Sequence, residues 1–340
     1  MSSSPNPEVI EAALAWTTGE DERHVARTAD GWNIGLFRYR PRGEQVGVPV
    51  LMGHGLCGTR LIFDVHPHYS MARALSARGF DVWLVDLRGR NTSWPDGGAD
   101  DALQWTFDDF VFRDIPAAVE TVLEETGAER VHWVGTEMSG IALYALAISG
   151  TAPAIAGGIT LGAPALTPSD AEIPGVTTTF PERSGTRYPF SMVRDVGPQL
   201  AYEQSEFLES SFRPSDTDWV VTARYFRHGV PDEATAIVDQ FTDWITNATM
   251  RSVDHSVIWS DRLGEFDLPV LLIAGAADIQ RPPDAVAATA AALGSVDKRF
   301  VRAGSAEGWP TEVGHDDLLA GLCAPTHTFP LVADWLAAHA

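Results

Sequence analysis

The stretch Arg130-Val-His-Trp-Val-Gly135-Thr-Glu-Met-Ser-Gly140-Ile-Ala-Leu-Tyr-Ala-Leu-Ala-Ile148 decides the fold. Arg130 to Val134 reads as a buried strand and Ile141 to Ile148 as an apolar helix, with only a short turn between them. A strand that passes so directly into a helix aims the side chains of the turn at the carboxyl edge of a sheet. Open parallel sheets form their sites at that edge. Glu137 stands in the middle of the turn.

The same grammar recurs on both sides. Val48 to Met52, Asp81 to Val85, Gly158 to Leu161, Val270 to Ala274 and Arg299 to Val301 read as short buried strands. Between the first two, Tyr69 to Arg78 is apolar at helical spacing and is stopped by Gly79. Ile115 to Thr126 carries Pro116 in its first turn and Gly127 as its stop. Strands and helices alternating at these lengths predict an α/β fold with a doubly wound, mostly parallel sheet.

The rhythm breaks after Gly162-Ala-Pro164. Up to about Phe266 no strong buried strand appears, and the segment is rich in Trp, Phe, Tyr, Pro and charge. A loop of that length without structure of its own is anomalous. The expected organisation is a core of residues 8–166 and 266–340 with a mainly helical cap inserted as 167–265. The polar start, Met1 to Pro7, is expected to be irregular.

A chain of 340 residues accommodates one large α/β domain with such an insertion. The formal net charge of -22 repels phosphate backbones and anionic lipid, which excludes nucleic acid and membrane surfaces as partners. A lipophilic small molecule is the expected partner, and homo-oligomerisation is left open. No apolar stretch is long enough to span a bilayer, and no basic segment leads into an apolar run, so a cytoplasmic location is expected. Two cysteines, Cys57 and Cys323, make no disulfide framework, and no Cys/His cluster has metal-ligand spacing. No cofactor is expected.

Three strand ends carry titratable residues: the turn Gly135 to Gly140, Ile273-Ala-Gly-Ala-Ala-Asp278, and Gly314-His315-Asp316-Asp317. These join Gly53-His54-Gly55-Leu56, Asp81-Val-Trp-Leu-Val-Asp-Leu-Arg-Gly89, Asp114-Ile-Pro-Ala-Ala117 and Thr126-Gly127. Together they resemble the α/β-hydrolase superfamily, in particular its lipase-like and polyester-synthase-like branch. The resemblance covers about residues 30 to 165 and 266 to 340 and leaves the cap unmatched. The chain order of nucleophile, acid and histidine agrees with that fold. The resemblance implies a catalytic trio of Glu137, Asp278 and His315, with the backbone N–H groups of Leu56 and Met138 as the oxyanion hole.

The departure from the family is equally specific. Its elbow reads Gly-x-Ser-x-Gly; here Glu137 stands in place of the serine and Ser139 in place of the second glycine. Serine is small enough for the elbow to survive. Ser139 as nucleophile in a shifted register is the weaker alternative, because it would sit inside the helix. His54 is expected to be a structural hydrogen-bonder of its turn and Cys57 a small buried apolar residue. Both, with Ser139, are candidates to line the substrate site. Glu307 and Asp316 rival Asp278 as the acid, but Asp278 ends a strand at the matching position. In the cap, Trp219, Tyr225, Phe226, Phe241 and Trp244 are candidates for either cap core or a lipophilic pocket.

A glutamate at the elbow restricts the chemistry. Attack on an ester carbonyl would form an anhydride, whose carboxylate (pKa about 4) leaves far better than an alkoxide (alcohol pKa about 16), so the intermediate would collapse backwards. Ordinary serine-type ester hydrolysis is therefore disfavoured. Glu137 can instead attack a saturated carbon, as the aspartate of dehalogenases and epoxide hydrolases in this superfamily does, giving an alkyl ester that water activated by His315 hydrolyses. It can also act as a general base. Its third option is an inert ion pair with His315 in a non-catalytic ligand-binding protein. Hydrolysis is the default reaction of the fold; a lyase or cyclase of a biosynthetic pathway, using the trio for proton transfer, is the alternative. If Glu137 and Asp278 flank His315, the two carboxylates raise the imidazole pKa, and a cap that excludes water can raise one carboxylate towards neutrality.

Overall fold

The apolar runs around Glu137 are strands because both faces of the sheet they form are covered. The computed structural model describes residues 7–97, 104–166 and 185–340. Its strands are β1 (Glu22–Arg27), β2 (Trp32–Tyr39), β3 (Val50–Gly53), β4 (Val82–Asp86), β5 (Trp94–Pro95), β6 (Val131–Thr136), β7 (Ile155–Leu161), β8 (Arg187–Tyr188), β9 (Glu233–Ala234), β10 (Val270–Gly275) and β11 (Lys298–Ala303). The main sheet runs β1-β2-β4-β3-β6-β7-β10-β11, with β5 paired to β2. From β4 to β11 all neighbours are parallel; β1, β2 and β5 are antiparallel additions at one edge.

Successive residues of each strand feed opposite layers. Leu51, Trp83, Val85 and Trp133 join the core on one face, and Val50, Met52, Val82, Leu84 and Val134 the core on the other. Each such side chain contributes on the order of 1.5–3 kcal/mol when buried, so a polar interruption in these strands would be costly. The covering helices begin and stop where their sequences dictate. Ser70 caps Met71–Ala77 by accepting from the Arg73 amide. The helix Ile115–Thr126 ends at Gly127, whose left-handed φ of 71° lets its N–H reach Leu123 O at 2.8 Å.

All six strands read from the sequence are present, with ends shifted by a few residues. The hairpin β1–β2 was not among them. β1 alternates between exposed and half-buried positions, and it lies at the sheet edge, so no continuous apolar run marks it. Residues 1–6 and the expected start of the insertion at 167 lie outside the described residues, and Pro7 opens a helix, Pro7–Leu14. Among the described residues between β7 and β10, the chain forms helices Val193–Tyr202, Trp219–Gly229 and Thr235–Asn247, with the two-residue ribbon β8–β9 as its only paired strands.

A buried ion pair ties this insertion to the core. Arg90 Nη2 donates to Glu233 Oε2 at 2.8 Å, and neither side chain is exposed. Trp105 Nε1 (3.0 Å) and the Cys57 amide (3.2 Å) complete the glutamate's shell. Cys57 belongs to the turn after β3, so the insertion is fastened beside the elbow. Among the described residues, no helix is long and apolar enough to cross a membrane.

Candidate active site

Glu137 sits between β6 and the helix Met138–Ser149 with φ 47° and ψ −112°. A residue with a Cβ rarely adopts a positive φ, so the surroundings must hold it there. Its N–H donates to Leu161 O on β7 at 2.8 Å, and its carbonyl accepts from Ile141 N at 2.9 Å. Gly135 makes the turn feasible: a Cβ there would stand 2.3 Å from the Ser139 carbonyl. Ser139 replaces the family's second glycine without loss. Its hydroxyl is fully buried and donates to His54 O at 2.5 Å. Gly140 instead supplies the close helix–strand approach, since a Cβ there would lie 2.4 Å from that of Ala163. Ser139 is therefore a packing residue and presents no nucleophile.

The Glu137 carboxylate sits between two backbone amides of the elbow and the turn after β3. Oε2 accepts from the amides of Leu56 (2.8 Å) and Met138 (2.7 Å), the two donors the resemblance implied. Oε1 accepts from both Nε (3.1 Å) and Nη2 of Arg281. Burial alone would raise this carboxyl's pKa; Arg281, the Leu56 amide and His315 outweigh it, and the net shift is downward. Glu137 is thus a buried, permanently ionised group whose two oxygens are differently held.

His315 is oriented by Asp278. Its Nδ1 lies 2.6 Å from Asp278 Oδ2, while Asp278 Oδ1 accepts the amides of Gln280 (2.9 Å) and Arg281 (2.7 Å). Nε2 is left for the cavity that His315 lines. Burial lowers the imidazole pKa, but the Asp278 contact, reinforced by Asp316 and Glu137, pushes it up to about 9. His315 therefore rests as imidazolium at neutral pH.

One option left open by the sequence is not realised: Glu137 and His315 make no hydrogen bond or ion pair with each other among the described residues. A guanidinium brings full charge and a fork of donors, and two amides claim the other oxygen, so the imidazole is outcompeted. A carboxylate pushed towards neutrality is present, and it is Asp316. Burial drives Asp316 up to about 7, with His315 opposing and Asp317, Asp278 and Glu137 adding.

A cavity of about 220 Å³ reaches Glu137, Arg281, His315 and Asp316. Its apolar lining is Ile62 from the core, and Phe190, Val193, Tyr225, Phe226 and Val230 from the insertion, beside the polar Thr136, Ser210, Ser211 and Gln280. Of the cap aromatics named from sequence, Tyr225 and Phe226 line it. Phe241 and Trp244 pack edge-on around Phe107 instead, and Trp219 stacks edge-on against Tyr202. Cys57 is half-buried and lines the cavity, where a fully buried residue was expected; burial and Glu233 push its thiol well up, away from nucleophilic use. His54 and Ser139 do not line it. His54 is fully buried; its Nδ1 donates to Gly55 O at 2.8 Å and its Nε2 accepts from Leu87 N at 3.2 Å, so it serves as a neutral brace of the turn. Glu307 lies exposed on the surface, and Asp278 alone holds the His315 ring. Among the described residues no cluster of three or more His, Cys, Asp or Glu is placed to hold a metal ion.

Sequence reasoning missed Arg281. It follows Asp278 by three residues and precedes Pro282-Pro283, and nothing in that spacing announces a partner for a residue 144 positions away.

A profile described as "alpha/beta hydrolase fold" matches residues 48–310. Gastric triacylglycerol lipase of Mus musculus is 30% identical over 161 residues, covering 44% of this chain and 40% of the lipase. The poly(3-hydroxyalkanoate) polymerase subunit PhaC of Haloferax mediterranei is 24% identical over 328 residues, 89% of this chain and 61% of that protein. The chain thus spans less than two thirds of the length of these curated relatives. Among solved structures, a soluble variant of monoglyceride lipase from Saccharomyces cerevisiae aligns over 95% of this chain and 97% of its own with TM-score 0.60 and 17% identity. A thermophilic esterase from Thermogutta terrifontis aligns over 94% and 99% with TM-score 0.57 and 17% identity. At these identities the structural likeness concerns the fold.

Proposed function

The chain belongs to the α/β hydrolase fold family, and from that premise we propose that it is a cofactor-independent hydrolase that opens a carbon–oxygen bond at saturated carbon, as in an epoxide, by forming a glutamyl ester on Glu137. The observation that carries this reading is the seat of Glu137 Oε2 in the oxyanion hole, 2.8 Å from Leu56 N and 2.7 Å from Met138 N. With the hole filled by the enzyme's own carboxylate, an external ester carbonyl has no donors to stabilise its oxyanion. An ester formed at Oε1, by contrast, has Oε2 as its carbonyl oxygen, already between both donors.

The proton inventory favours an oxygen leaving group. In the first step Oε1 forms a bond to carbon, the carbon–oxygen bond of the substrate breaks, and the departing oxygen takes the proton from His315 Nε2. His315 is then neutral, and the loss of the Glu137 charge removes one of the influences that held it protonated. In the second step His315 accepts a proton from water, and the hydroxide adds to the glutamyl carbonyl. The tetrahedral intermediate places its negative oxygen at Leu56 and Met138, then expels the product alkoxide, which takes the proton of the glutamic acid left on Glu137. Glutamate and imidazolium are restored. A halide leaves without a proton and would leave His315 cationic and unfit as base, which ranks epoxides ahead of halides. The apolar cavity walls, and the lipases among the relatives, support a lipophilic substrate.

The test traps the ester. Acid quench of the unmodified protein during turnover of a panel of aryl and alkyl epoxides, with and without a carboxylate, should add the mass of one epoxide to the peptide containing Glu137. Hydrolysis of an epoxide with no adduct on Glu137 at any quench time, and no oxygen-18 entering Glu137 from labelled water, would rule the reading out.

One observation favours a second reading. The Arg281 fork on Oε1 occupies the oxygen that has to react, and a permanent pair of this kind would make the chain a ligand-binding protein without catalysis. Absence of both turnover and adduct across the epoxide panel, with ligands still filling the cavity, would select it.

A further inference from the structure

Arg281 is the only arginine or lysine that lines the cavity among the described residues. Its backbone is rigidly mounted. The Arg281 amide donates to Asp278 Oδ1 at 2.7 Å, Pro282 and Pro283 follow, and the neighbouring Gln280 donates to Ser210 O at 2.5 Å on the insertion. The guanidinium is less well matched than its mounting. Nε and Nη2 form a fork suited to the two oxygens of one carboxylate. Here both converge on the single atom Oε1, because Oε2 is committed to Leu56 and Met138. The third nitrogen, Nη1, reaches only Gln280 O, at 3.2 Å. A carboxylate entering the cavity can offer the fork two oxygens where Glu137 offers one.

We propose that Arg281 is the specificity-determining residue of this site, receiving a carboxylate of the substrate and, by that exchange, releasing Glu137 Oε1 to react. The substrate class is then an apolar acid: a carboxylate at Arg281, an electrophilic carbon beside Oε1, and an alkyl or aryl body against Phe190, Val193 and Phe226. The guanidinium turns on its own side-chain torsions while the backbone stays fixed by Asp278. An anion that displaces Glu137 from Arg281 leaves that carboxylate bound at one oxygen only, ready at the other. The release of Oε1 rests on the reading of Glu137 given above; the carboxylate subsite does not.

The experiment is equilibrium calorimetry with 4-phenylbutyrate and its uncharged amide. The unmodified protein should bind the acid at least about tenfold more tightly than the amide, the least that a charge-assisted fork provides. Glu137→Gln removes the competing charge and should tighten acid binding by a further factor of about ten. Arg281→Gln should abolish the preference for the acid. Should Arg281→Gln fail to fold, Glu137→Gln/Arg281→Gln has no buried charge left unpaired and should bind acid and amide alike. Equal binding of acid and amide by the unmodified protein, or a preference that survives loss of Arg281, overturns the proposal. No chemistry occurs with these probes, so the outcome is independent of the epoxide experiment. An acid preference without any glutamyl ester would leave the subsite and remove the mechanism; an ester without the preference would do the reverse.

Discussion

Glu137 Oε2 and the amide nitrogen of Leu56 lie 2.8 Å apart, and Met138 N lies 2.7 Å from the same oxygen, so the elbow carboxylate fills the place between the two amides that the resemblance gives as an oxyanion hole. On the reading proposed above, the two side-chain bonds that glutamate adds over serine turn that hole from a receptor for substrate oxygen into a clamp on the protein's own carboxylate.

Shortening that side chain should therefore change the reaction. Glu137→Ser reopens both amide donors and places a hydroxyl at the strained turn, with the His315–Asp278 pair still at 2.6 Å. Release of nitrophenolate from 4-nitrophenyl butyrate should rise by about two orders of magnitude over the parent protein, the scale on which oxyanion-hole donors act. A folded Glu137→Ser as inert as its parent would show that the filled hole is not what excludes esters.

Arg281 compensates a buried charge whatever else it binds. Arg281→Met should lower stability by about 3–5 kcal/mol, because it strands the Glu137 carboxylate. Adding Glu137→Gln should recover most of the loss in urea denaturation. Equal and additive losses in the two single variants would mean that the pair is not coupled.

The pH dependence of stability has a definite sign. Asp316 rises in the folded protein from an ordinary 3.8 to about 7, so the folded state binds the extra proton and loses stability as pH climbs through that interval. His315, raised from 6.5 to about 9, contributes stability in full below 6.5 and loses it as pH approaches 9. Burial lowers the pKa of His54 and His132, which opposes this trend below pH 6.5, so the two contributions are read as differences between parent and variant. Between pH 4 and 7 the urea midpoint of the parent should fall relative to that of Asp316→Asn, and between pH 6.5 and 9 relative to that of His315→Gln.

The Arg90–Glu233 pair should hold the insertion to the core. Glu233→Ala strands Arg90, frees the Cys57 and Trp105 donors, and should cost about 3–5 kcal/mol. Limited proteolysis should then cut first between Val193 and Asn247. An unchanged cleavage pattern would show that other contacts fasten the insertion.

How much of this was legible in the sequence depended on whether the signal was local. Buried parallel strands such as Val82–Asp86 and Val270–Gly275 announce themselves as unbroken apolar runs, since both faces are covered. Gly127 and Pro116 mark helix ends by backbone constraints that belong to single residues. The edge hairpin β1–β2 gave no such run. At the site, Glu137, Asp278 and His315 were found because each ends a strand or follows one closely. Arg281 was not, because its pairing with Glu137 depends on where two distant strand ends meet in space. Without it, an ion pair with the imidazole stood among the options for Glu137.

The central claim is that Oε1 of Glu137 forms an ester while Oε2 waits in the oxyanion hole. A single turnover of an epoxide in oxygen-18 water, followed by mass analysis of the peptide containing Glu137, tests it most directly. Water that attacks the glutamyl carbonyl should leave one heavy oxygen in Glu137 and none in the product of the first turnover. A heavy oxygen in that first product, with Glu137 unlabelled, would contradict the account.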